Sequence, residues 1–167
     1  MAEWISVFCR TPVEPDPAAL HRVLDDLDLA AAAGVRHGLP DLRVETARDA
    51  GASIDVHYRA DGRPIQLSTL VGREAAGQVT ETLAELPLES KEAGVLLVRE
   101  HLNMCVQVIN IELDAAAEGD LGTVLGTVLG AELAYAIAED GDGLVWLFDR
   151  EWISPADRTT PVWTHPD

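Results

Sequence analysis

From Ser53 to Arg59 apolar and polar positions alternate strictly, with Ile54, Val56 and Tyr58 on one side and Asp55, His57 and Arg59 on the other. A period of two predicts a strand with one wet face. Asp61-Gly62 is a hairpin turn signal, and Ile65, Leu67, Thr69 and Val71 continue on the return strand, with Pro64 marking an edge or a strand start. Trp4 to Arg10 reads as a further strand that stops at Thr11-Pro12, and Leu42, Val44 and Thr46 as a short one. Met104 to Leu113 is apolar on both faces, as a central covered strand should be. Leu144 to Phe148 forms another strand, which residues 151–153 extend or fold back upon.

Helical spacing appears elsewhere. Asp16-Pro17 is a capped helix start, after which Leu20, Val23, Leu24, Leu27 and Ala31 share one face up to Gly34. Ala76, Val79, Leu83 and Leu86 predict a second helix after Gly72, stopped by Pro87. Residues 89–102 carry two readings: Val95, Val98 and Leu102 suit a helix, which we favour, while the run VLLV alone suits a strand. A long helix over residues 120–140 carries Gly122, Gly126, Gly130 and Ala134 four apart. Glycine inside a helix costs about 1 kcal/mol relative to alanine, so the stripe predicts a close backbone approach.

These elements predict an α+β fold: an antiparallel or mixed sheet with helices packed mainly on one face. The order matches a ferredoxin-like βαββαβ core extended by a further helix and strand. Residues 1–153 form the single domain, and residues 154–167, with three prolines, an irregular tail pinned by Trp163.

Charge changes the picture more than composition does. The chain has 167 residues and a net charge of -17, from 29 acidic and 12 basic side chains, with Lys91 the sole lysine. Such a field repels nucleic acid and anionic lipid and favours a cationic partner: a basic protein, a polyamine or a metal ion. Between Arg99 and Arg150 there is no lysine or arginine. Asp114, Glu118 and Asp120 precede the long helix, and Glu139, Asp140 and Asp142 follow it, where the helix dipole disfavours them. They predict a continuous acidic patch for a partner, with Trp152 or Trp163 as aromatic anchors. An organism-wide acidic bias explains the same composition without a partner.

Chemistry is sparse. There is no G-x-G-x-x-G, G-K-[ST] or G-x-S-x-G, and the five histidines show no metal spacing, so no cofactor and no metal are expected. Asp55 and His57 lie two apart on one strand face, where a carboxylate can orient an imidazole for acid-base work, against the plainer reading of a solvated row. Asn110 and Glu112 interrupt the most apolar strand, so burial there demands partners. His101 and Asn103 flank the entry to that strand, as ordinary loop polarity or as the edge of a pocket. Cys9 and Cys105 sit in apolar runs and predict buried, reduced thiols.

The leading functional expectation is a small acidic non-catalytic binding protein, concretely a bacterial immunity or antitoxin-like inhibitor of a basic partner. The alternatives are an enzyme or small-ligand domain with a site near Asp55, His57 and Glu112, and a housekeeping or assembly domain. No run is apolar enough to span a membrane, and the first residues do not read as a signal peptide, so the expected location is cytoplasmic. A homo-oligomer is left open.

Overall fold

The structure is a computed structural model, and it describes residues 2–34, 38–47, 53–60, 62–114 and 121–166. The strands are β1 (Ala2–Cys9), β2 (Arg43–Thr46), β3 (Ser53–His57), β4 (Ile65–Val71), β5 (Gln107–Asp114), β6 (Gly143–Leu147), β7 (Glu151–Ile153) and β8 (Trp163–Thr164). The helices are α1 (Pro17–Asp25), α2 (Leu29–Ala33), α3 (Gly72–Glu85), α4 (Ala93–Asn103) and α5 (Leu121–Asp140). The eight strands make one sheet in the order β2-β3-β4-β5-β1-β6-β7-β8, and every pairing is antiparallel.

This is the α+β architecture the pattern predicts, on a larger sheet. The ferredoxin-like order is not what forms. A split βαβ unit sets parallel strands side by side, whereas here β1 pairs antiparallel with β5 and β6, and β4 pairs with β3 and β5.

Nor do the helices keep to one face. Ile5, Val7, Ile109, Ile111 and Leu113 point to a core shared with α1, α2 and α5 through Leu20, Leu24, Leu29, Leu129 and Leu133. Their neighbours Phe8, Val108, Leu144 and Trp146 point the other way, to a core closed by α3 and α4 through Ala75, Val95, Val98 and Leu102. Alternation in β1 and β5 thus supplies two apolar faces, and each needs a helical cover.

Local chemistry sets the element boundaries. Asp16 caps α1, its carboxylate accepting from Ala19 N at 2.9 Å. The single helix expected up to Gly34 is two, because Asp28 caps a new start with a bond from Ala31 N at 3.1 Å. β4 runs straight into α3 at Gly72, whose φ of 55° lies in the left-handed region that glycine favours. Residues 93–103 form a helix, as the Val95, Val98, Leu102 spacing predicts.

The C-terminal segment joins the sheet. Trp163 pairs with Trp152 across β7 and β8, and Val162 N donates to Trp152 O at 2.7 Å. Trp146, Trp152 and Trp163 follow one another across neighbouring strands, the first two rings stacked at 5.3 Å. Trp152 is fully buried and Trp163 is 8% exposed. Neither therefore presents a ring face to a partner, which corrects their reading as surface anchors. In a short segment rich in charges and prolines they look available, yet they close the second core.

Candidate functional site

A cleft opens between α4, the end of α5 and residues 154–156, with a volume of about 550 Å³. α4 supplies Leu97, Glu100 and His101, the end of α5 and the following turn supply Ala138, Glu139 and Asp142, and β1 supplies Arg10 just past its last residue. The register of β1 with β6 brings these segments together: Cys9 pairs with Gly143, so Arg10 emerges beside Asp142. Arg10 Nη2 donates to Asp142 at 2.7 Å. That contact holds the Asp142 carboxyl below its usual range.

His101 is the most constrained polar group here. It is 6% exposed, and its Nε2 lies 2.7 Å from the Phe8 main-chain oxygen. A carbonyl oxygen only accepts, so Nε2 carries the proton and Nδ1 is left as an acceptor. Burial lowers the imidazole pKa, the Phe8 contact opposes this, and the Arg10 charge adds to the lowering. The ring is therefore neutral at neutral pH.

Among the described residues, the carboxylates of Glu132, Glu139 and Asp142, on and after α5, have arginine partners. Arg10 from β1 engages Asp142, and Arg158 reaches Glu132 at 3.0 Å and Glu139 at 2.6 Å. Arginines from both ends of the chain are interleaved among the carboxylates that the cation-free interval isolates. Asp140 is exposed at the end of α5. Glu118 and Asp120 lie outside the described residues, as does the Asp114 side chain.

Asp55, His57 and Glu112 share one sheet face but do not converge. Asp55 pairs with Gln66, and Gln66 with Glu112, so the two carboxylates lie two strand spacings apart, about 9–10 Å. Gln66 Nε2 donates to Asp55 at 3.2 Å, Arg63 lies 3.3 Å from Glu112, and His57 Nε2 lies 3.5 Å from Glu45 rather than on Asp55. Asn110 finds the partners its burial demands: Ser6 Oγ donates to its Oδ1 at 2.8 Å, and its Nδ2 donates to Gln78 Oε1 at 2.9 Å. Among the described residues no three His, Cys, Asp or Glu side chains are grouped to hold a metal ion.

Cys9 is buried and Cys105 half-buried, and both are free thiols. Burial, with the neighbouring Cys105 second, pushes the Cys9 thiol up to about 12. Cys105 sits just ahead of β5, its Sγ donating to Gln107 O at 3.1 Å.

The outer face of α4 is the apolar surface that periodicity did not single out. Leu96, Leu97 and Met104 are each nearly half exposed, and Leu88, in the turn before α4, is 81% exposed. Leu97, Glu100, His101 and Met104 follow helical spacing, so the cleft and the apolar stripe adjoin. No helix among the described residues is long and apolar enough to cross a membrane. The fold defines an eight-stranded antiparallel α+β domain with helices on both faces. Compared with known proteins, the chain matches no family model, no curated protein and no solved structure.

Proposed function

We propose that the protein is a small non-catalytic binding module that takes a basic, amphipathic protein segment on the outer face of α4. The observation that carries this is the exposed row Leu96, Leu97 and Met104 beside a cleft lined by Glu100, Glu139 and Asp142, in a chain of net charge -17. Exposed apolar groups at one place supply affinity through burial, and the surrounding negative field steers a cationic partner. A second copy of the chain is the poorer occupant, because two such charges repel. An immunity or antitoxin-like inhibitor is the concrete form of this reading, since blocking a basic protein asks for surface and charge rather than reacting groups.

The test uses a lysine-leucine amphipathic helical peptide and its glutamate-leucine twin. The cationic peptide binds, with an on-rate that falls steeply as salt is added, and the anionic twin does not. The Leu96→Glu/Leu97→Glu variant, altered only at exposed positions, keeps its fold and loses the peptide. Equal binding of both peptides, or undiminished binding by the variant, overturns the reading.

A further inference from the structure

We propose that the cleft beside α4 receives a single cationic side chain of the partner, an arginine guanidinium or lysine ammonium group, with His101 Nδ1 as hydrogen-bond acceptor and Glu100 as counter-charge. The inference rests on the basic-partner reading above and names the contact that would select the partner.

The first support is an acceptor with nothing to accept. His101 is nine-tenths buried, its ring lines the cleft, and Nε2 is committed to Phe8 O at 2.7 Å. Nδ1 has no partner among the described residues, while the cleft is the space the ring borders. Nδ1 is not shut off from solvent, so an incoming N–H can reach it and pair with it while the Phe8 contact stays in place.

The second support is the sign of the charge. The lining holds three carboxylates, of Glu100, Glu139 and Asp142, against one guanidinium, of Arg10. Asp142 is taken by Arg10 through both oxygens. Arg158 takes only Oε1 of Glu139. Glu100 forms no ion pair among the described residues, although Arg10 feels its charge. An anion would meet an excess of negative charge, whereas a cation meets an unpaired carboxylate and a free acceptor.

The third support separates an organic cation from a metal ion. The His, Asp and Glu side chains are not grouped to hold an ion among the described residues. An alkyl stem carrying several N–H groups can reach separate acceptors that a metal cannot share. Leu97, Ala138 and Leu144 offer that stem apolar walls, and about 550 Å³ leaves room for it.

The experiment titrates the 15N-labelled protein with N-acetyl-arginine amide, N-acetyl-lysine amide, the uncharged N-acetyl-citrulline amide and spermidine, following the His101 ring nitrogens. The proposal expects a saturable shift of Nδ1 with the arginine or lysine amide. Citrulline amide and the His101→Gln variant should each bind about tenfold more weakly, the loss of one charge-assisted hydrogen bond. Glutamine keeps a donor for Phe8 O and loses the Nδ1 acceptor. Glu100→Gln, at an exposed position, also weakens binding and serves should His101→Gln unfold. An unmoved Nδ1, unchanged binding by both variants or equal binding of citrulline amide overturns the proposal. Spermidine binding without either amino-acid amide overturns the side-chain source. If the cationic amphipathic peptide binds wild type and His101→Gln equally but not Leu96→Glu/Leu97→Glu, the cleft contact fails and the partner reading stands. If the arginine amide binds and the peptide does not, the partner reading fails and the chemistry of the cleft stands.

Discussion

Gly126 on α5 and Tyr58, just beyond β3, approach so closely that a Cβ on residue 126 would stand 2.6 Å from the tyrosine hydroxyl and 3.3 Å from Cζ. Tyr58 is 6% exposed, so its rigid ring has little room to retreat. Gly126→Leu should therefore lower stability by about 1–3 kcal/mol through overpacking. The loss should shrink in a Tyr58→Phe background, which removes the nearest atom. Gly77 on α3 is the control. Nothing lies within 4 Å of a Cβ there, so Gly77→Ala should gain about 1 kcal/mol. Urea unfolding of the wild type, the three single variants and the double variant decides it, and an unchanged Gly126→Leu midpoint would show that the glycine makes no close contact.

The Cys9 thiol gives the protein an alkaline edge. Its pKa stands raised from 9.0 to about 12, because burial disfavours the thiolate and Cys105 lies near. The folded state thus holds its proton where the unfolded chain releases it. The stabilisation is complete below pH 9 and is lost as pH rises from 9 towards 12. Cys9→Ala should flatten that part of the profile in thermal melts. Native protein should also react slowly with a thiol reagent at Cys9, and the denatured chain at both cysteines. Fast native labelling of Cys9 would contradict its burial.

The strands and helices were legible wherever one rhythm dominated. Ile54 and Val56 alternate with Asp55 and His57 and form β3, and Val95, Val98 and Leu102 recur at helical spacing and form α4. Of the sheet order, the adjacency of β1 and β5 follows from the ferredoxin-like reading and is found, whereas nothing local says that β4 pairs with β5 rather than with β1. The second helical layer was half visible: Ile5 and Val7 alternate with Phe8, and apolar residues on both sides of a strand call for cover on both faces. The cleft was hidden for the same reason as the sheet order. His101 read as one polar residue at an edge, and its neighbours Arg10 and Asp142 come from β1 and from the turn after α5.

His101 sets an acid edge of opposite sense. Burial, opposed by the Phe8 contact and aided by Arg10, lowers its pKa from 6.5. The unfolded chain then binds a proton that the folded state refuses. Stability is fully present above pH 6.5 and falls as pH drops below it towards the folded value. Asp142, the other charged group beside the ring, has its pKa lowered from 3.8 and stays ionised through this range. His101→Gln should flatten the stability profile between pH 7 and 5, measured by urea unfolding. An unaltered slope in that variant would show that the imidazole takes up its proton as readily folded as unfolded.

Gly94 decides whether the C-terminal segment stays on the domain. It sits in the first turn of α4, where a Cβ would collide with the main-chain oxygen of Val162 and stand 3.1 Å from Trp163 Cβ. Backbone on both sides leaves no flexible side chain to give way. Val162 N is also the donor to Trp152 O, so moving residue 162 breaks the contact that begins β8. Alanine is the better helix former by about 1 kcal/mol, so an unconstrained Gly94→Ala would stabilise. Here the expected outcome is the reverse, a loss of about 1–3 kcal/mol from forced displacement. The displaced segment should uncover Trp152, which is otherwise fully buried. Tryptophan emission should then shift to the red in native buffer, and proteolysis should trim the chain after residue 153 before it cuts elsewhere. A Gly94→Ala protein with native emission, protease resistance and higher melting temperature would show that β8 does not depend on this contact.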